Sequence, residues 1–204
     1  TSSFDNNFAL PPIEEFEKKI TPKTKAFLIC NPGNPTGYLY SKEEILQLAA
    51  IAKKYDIFLI FDEVYREFVY DGAQHFSIMQ VPGIEQNAIM IDSVSKRFNM
   101  CGARIGWVVS KNKEVMKSIL KFAQARLSPP TYSQIGAEKA FDVPETYFEE
   151  VLKEYTQRRN VLIDALQRVE GVRVSMPKGA FYCIAELPVE NAEDFCIWLL
   201  DQFS

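Results

Sequence analysis

Histidine is almost missing from this chain: His75 is the only one in 204 residues. The four cysteines, Cys30, Cys101, Cys183 and Cys196, lie far apart and show no CxxC spacing. With one imidazole and no paired thiols, a metal site is not expected. The cysteines read as free thiols of a reducing compartment, which sets a cytoplasmic expectation. Cys30 and Cys196 fall in apolar patterns that point to the core. His75 closes Asp71-Gly72-Ala73-Gln74-His75, a loop-like segment, and reads as a surface residue. Positive charge is not in excess: 23 Lys and Arg face 27 Asp and Glu, so a nucleic-acid partner has no electrostatic support. No apolar run approaches the length of a membrane span, and no secretory leader is visible. Repeats and low-complexity tracts are absent as well. The chain opens without methionine on Thr1-Ser2-Ser3 and stops at Phe203-Ser204, so it reads as a piece of a longer protein.

What is present is a globular composition, with 47% hydrophobic residues, and three continuous apolar runs. Ala26–Cys30, Ile57–Phe61 and Ala88–Ile91 show no period-two alternation, which marks strands buried on both faces. Between the first two, Ser41-Lys42-Glu43-Glu44 forms a capping box. Ile45, Leu48, Ala49, Ala52 and Tyr55 follow on one helical face. Strand, helix, strand predicts a parallel sheet with flanking helices, an α/β fold. Further strands are expected at Arg104–Ser110, Val172–Val174 and Ala180–Ile184. Helices are expected over Lys113–Arg126, roughly Ser133–Phe141, a long stretch from Glu145 towards Gly171, and a last one carrying Phe195, Cys196, Trp198 and Leu199. The long helix, about 38 Å at the α-helical rise, suits a bridge between domains. The expected division is 1–145, part of a large domain; 146–170, the inter-domain helix; and 171–204, part of a smaller α+β domain.

Polar clusters follow the three strands. Asn34 stands in Asn31-Pro32-Gly33-Asn34-Pro35-Thr36-Gly37, Asp62 and Tyr65 in Phe61-Asp62-Glu63-Val64-Tyr65, and Ser93, Ser95 and Lys96 just past the third strand. Ligands of open parallel sheets bind at the carboxyl edge of the strands, which would gather all three clusters into one crevice. A lysine at such an edge can be partly desolvated and keep a usable amine. Two serines before it, with Arg104 after it, could hold a phosphate. An amine beside a phosphate site is what pyridoxal 5'-phosphate needs. Each residue also has a plainer reading: Asp62 as a cap, Asn34 as a turn former, Tyr65 as a half-buried aromatic, Lys96 as a solvated strand end.

The motifs NPGNPTG, FDEVY and SVSKRFNMCGARIGW, in this order and at these intervals, resemble the class I/II aminotransferases of fold type I, from about Phe8 to the end. The resemblance implies a PLP-dependent transferase-like large domain with part of a smaller one. It implies that Lys96 forms the Schiff base and later shuttles a proton, and that Asp62 pairs with the pyridinium nitrogen. Asn34 and Tyr65 would donate to the ring's phenolic oxygen, and Ser93, Ser95 and Arg104 would bind the phosphate. Gly37, Gly102 and Gly106 look structural. The partners it implies are an L-amino acid, aspartate-like favoured, and a 2-oxo acid, in a homodimer. KGAFY at 178–182 resembles the family's small-domain strand segment. The family's upstream phosphate loop, ring-stacking aromatic and downstream carboxylate-binding arginine are not in these residues, and Arg126 is a helix-end charge. The same cofactor residues would also serve a β-lyase or a cyclopropane-carboxylate synthase-like enzyme, and a non-catalytic sensor domain beside a DNA-binding module is the rival of another class.

Overall fold

A computed structural model describes residues 3–203. A short helix α1 (Ile13–Glu17) precedes strand β1 (Ala26–Cys30), helix α2 (Lys42–Tyr55) and strand β2 (Phe58–Asp62). Strand β3 (Ala88–Ser93) runs into a single helical turn, α3 (Val94–Arg97), and then strand β4 (Gly106–Val109). Helices α4 (Lys113–Arg126), α5 (Thr131–Ala140) and α6 (Glu145–Gln167) follow, then strands β5 (Arg173–Val174) and β6 (Ala185–Glu186), then helix α7 (Ala192–Phe203).

The first sheet has the order β1-β2-β3-β4. Strands β1, β2 and β3 are parallel, and β4 returns antiparallel to β3. The parallel strands are joined as expected for crossover units, with α2 between β1 and β2. Its start follows from the local sequence: Ser41 Oγ accepts from Glu44 N at 3.1 Å, and Glu44 Oε2 accepts from Ser41 N at 2.7 Å. Ile45, Leu48, Ala49 and Ala52 of α2 pack on Ile29, Leu59, Phe61 and Met90 of the sheet. Each large side chain buried there stabilises the fold by about 2 kcal/mol. A second, two-stranded sheet pairs β5 with β6 antiparallel.

Three local expectations need correction. The Ala180–Ile184 run is not a strand; the pairing falls instead at Val174–Ala185 and Arg173–Glu186. The backbone of 178–180 is bonded to the first half of the chain, which takes it out of the small sheet. The strand expected at Arg104–Ser110 is confined to Gly106–Val109, because Cys101–Ala103 forms a 3-10 turn and Arg104 sits in the left-handed region at φ 56°. Cys196 is exposed on α7 and Cys30 is half-buried, so neither thiol belongs to the fully buried core. Helix α6 ends at Gln167, about 35 Å from its start.

Candidate active site

The carboxyl edge of the parallel strands gathers the expected residues by register alone. Cys30, Asp62 and Ile91 are neighbours across β1, β2 and β3, so Asp62 lies beside the strand whose continuation carries Ser93 and Lys96. Ser93 caps α3, its Oγ accepting from Ser95 N at 3.2 Å. One turn of helix then lifts Lys96 clear of the sheet. Its Nζ lies 5.9 Å from the ring centroids of both Tyr65 and Phe181. Lys96 makes no salt bridge among the described residues, and its amine stands over the two aromatic rings instead.

Asp62 Oδ1 accepts from Val64 N at 3.1 Å, so it does cap the turn that aims Tyr65. Its other oxygen accepts no hydrogen bond among the described residues. Tyr65 is 4% exposed. Its hydroxyl lies 2.6 Å from that of Tyr182. Burial pushes its ionisation well above the ordinary tyrosine range, so it is a donor-acceptor phenol, not a phenolate. Asn34 is exposed, with no side-chain hydrogen bond among the described residues. Arg104 is also exposed and turns back on its own loop, Nη1 donating to Cys101 O at 2.8 Å. Lys96, Tyr65 and Asp62 are thus gathered at one edge. The serines stand beside them, and Asn34 and Arg104 lie in open loops around it.

Sequence reasoning missed Phe181 and Tyr182. The segment before them is seated on the first half of the chain. Lys178 N and Gly179 N both donate to Gly37 O at 3.0 Å, Ala180 N donates to Phe68 O at 2.9 Å, and Tyr70 Oη donates to Ala180 O at 2.6 Å. Two glycines permit this approach. A Cβ on Gly37, where φ is +67°, would lie 2.2 Å from Pro177 Cβ, and one on Gly179 would lie 2.5 Å from Pro32 Cβ. The available signal was the glycine before Ala180-Phe181-Tyr182, which marks close backbone approach as readily as a turn.

A set of four charged side chains lies beneath. Arg66 Nη2 is 3.2 Å from Asp92 Oδ2, Arg97 Nη2 is 2.6 Å from Glu67 Oε1, and Arg97 Nη1 is 3.8 Å from Asp92 Oδ2. Asp92 Oδ1 also accepts from Ser93 N at 2.7 Å. Burial raises the Asp92 carboxyl and lowers the Arg97 guanidinium, against the attraction of their partners. This set ties the turn bearing Tyr65 to the strand end and helix bearing Ser93 and Lys96.

His75, expected on the surface, is instead partly buried against Glu63. Glu63 Oε1 accepts from Ser77 Oγ and Ile78 N, both at 2.9 Å, and Glu63 Oε2 lies 3.8 Å from His75 Nε2. Burial raises Glu63 and, with Arg66 nearby, lowers His75 to about 4. With its imidazole held neutral, His75 makes no ion pair with Glu63.

The family described as "Aminotransferase class I and II" matches residues 5–204. An aspartate aminotransferase of Bacillus sp. (strain YM-2) is 35% identical over 193 residues, 94% of this chain and 49% of its own length. Aromatic-amino-acid aminotransferase 2 of Thermococcus litoralis is 36% identical over 180 residues, 87% of this chain and 46% of its own. Among solved structures, an aspartate aminotransferase from Thermotoga maritima superposes with a TM-score of 0.88 at 31% identity, covering 98% of this chain and 52% of that one. An aromatic aminotransferase from Pyrococcus horikoshii gives 0.87 at 31%, over 98% and 54%. The chain therefore spans about half the length of the relatives it matches, carries their α/β fold, and belongs to the class I and II aminotransferases.

Proposed function

We propose that the whole protein is a pyridoxal 5'-phosphate-dependent aminotransferase, moving an amino group from an L-amino acid to a 2-oxo acid. The observation that carries this is the placement of Lys96, its Nζ 5.9 Å from the Tyr65 and Phe181 rings, at the edge where Asp62 ends β2. The donor set fits the cofactor's chemistry: an amine for its aldehyde, a carboxylate for its ring nitrogen, hydroxyls and a guanidinium for its phosphate. When bound, the cofactor supplies the electron sink that makes the substrate's α-proton removable.

The chain's own residues do the rest. Lys96 would hold the cofactor through its amine and, once displaced by substrate, carry the proton to and from the α-carbon. Asp62 would keep the ring nitrogen's proton in place. Tyr65 and Asn34 would donate to the ring oxygen, and Ser93, Ser95 and Arg104 would bind the phosphate, Arg104 as a fork. The Phe181 ring lies beside the Lys96 amine, its centroid 5.9 Å from Nζ. An aspartate-like substrate is favoured because several relatives are named aspartate aminotransferases, although one is named for aromatic amino acids. We also take residues 1–145, 146–170 and 171–204 as large-domain, bridging-helix and small-domain parts, and the working form as a homodimer.

Two measurements on the full-length protein test this. Its visible cofactor band should vanish in Lys96→Ala, and an unchanged spectrum would refute the assignment. With an amino donor and a 2-oxo acid it should yield the exchanged pair. Pyruvate and ammonia from a β-substituted amino acid, without amino transfer, would make it a lyase instead.

A further inference from the structure

Tyr182 has a contact that no motif announced. Its hydroxyl lies 2.6 Å from the hydroxyl of Tyr65, and the two rings meet edge-on with centroids 5.5 Å apart. Phe181 closes the group, 5.1 Å from the Tyr65 ring and 5.0 Å from the Tyr182 ring. The segment that brings Tyr182 here is fixed by main-chain bonds to Gly37 and Phe68, so its hydroxyl is delivered to one place.

A phenol has one proton to donate and two lone pairs with which to accept. If Tyr65 gives its proton to an oxygen beside Lys96, the proton between the two tyrosines must come from Tyr182. Such a chain of hydroxyls polarises along its length, and the terminal donor becomes stronger. We propose that Tyr182 is a positioning residue. It donates to Tyr65, fixes the direction of the Tyr65 proton, and strengthens Tyr65 as a donor towards the ligand at Lys96. The inference rests on Tyr65 being a donor to the cofactor's ring oxygen.

The test uses the full-length, cofactor-loaded protein and the pH midpoint of its visible band. Without Tyr182's hydroxyl, Tyr65 donates less strongly. More negative charge stays on the ring oxygen and holds the neighbouring proton to higher pH. Tyr182→Phe, which removes one oxygen and leaves the ring, should raise the midpoint by about half a unit, a roughly threefold change in the equilibrium. It should also weaken cofactor binding to the stripped protein by about threefold, read by absorbance titration. In a Tyr65→Phe background, Tyr182→Phe should change neither quantity, because the effect passes through Tyr65. An unmoved midpoint in Tyr182→Phe, or an equal shift in both backgrounds, would overturn the inference while leaving the role of Lys96 standing. A band that survives Lys96→Ala would overturn the underlying assignment itself, so the two failures are distinguishable.

Discussion

His75 shows how a residue's chemistry is set by what closes over it. Alone in a Gly- and Gln-containing loop it reads as solvated; folded, its side chain is 11% exposed and faces Glu63. Its folded pKa of about 4 lies below the ordinary 6.5. A depressed imidazole favours folding above pH 6.5, and that contribution is lost as pH falls towards 4, by up to about 3 kcal/mol. Glu63 is raised above 4.5, so its contribution runs the other way: present at low pH and lost as pH rises through its folded value. The His75 slope is therefore best seen with Glu63→Gln in place. Melting temperatures of that variant should fall between pH 6.5 and 4, and adding His75→Gln should flatten the fall. Parallel curves would show that the imidazole is solvated.

Elements meet here through positions without side chains. The loop at Gly37 and the segment at Gly179 approach until a Cβ on either would collide with a proline ring. Gly179→Ala should destabilise the protein by about 1–3 kcal/mol, the usual range for overpacking, seen as a lower denaturant midpoint. It should also displace Phe181 from Lys96 and Tyr182 from Tyr65 and weaken cofactor binding. Full cofactor affinity in a destabilised variant would mean that the seating serves the fold alone. Both glycines were visible in sequence, and Gly37 was read as structural. That they face each other's loops was not visible, because nothing local in Gly33–Gly37 points to a segment near residue 179.

For the molecule as a whole, α6 is tied to the sheet-bearing half by Arg159 as well as by packing of Tyr155 on Phe68 and Phe148 on Phe98. Arg159 donates to both oxygens of Asp71 at 2.8 Å, to Pro177 O at 3.2 Å, and stacks 4.6 Å over Tyr70. Arg159 therefore lowers the Asp71 carboxyl below its ordinary value. Arg159→Lys keeps the charge but loses the fork and the stacking, and should cost about 1–2 kcal/mol in chemical denaturation. An unchanged midpoint would show that other contacts carry the junction.

The sequence by itself determined the order of strands and helices, the parallel core, and the polar groups at the strand ends. These follow from short-range rules: continuous apolar runs, the Ser41–Glu44 capping box, and turns after each strand. It also placed Asp62, Ser93 and Lys96 on one edge, because consecutive parallel strands present the same end. Only the tertiary structure decided that the 178–182 segment leaves the small sheet and lies against Gly37 and Phe68. Only there does Tyr182 reach Tyr65, 117 residues away, and only there is His75 turned in against Glu63. Contacts of that separation depend on shape complementarity between surfaces that neither segment possesses until both have folded.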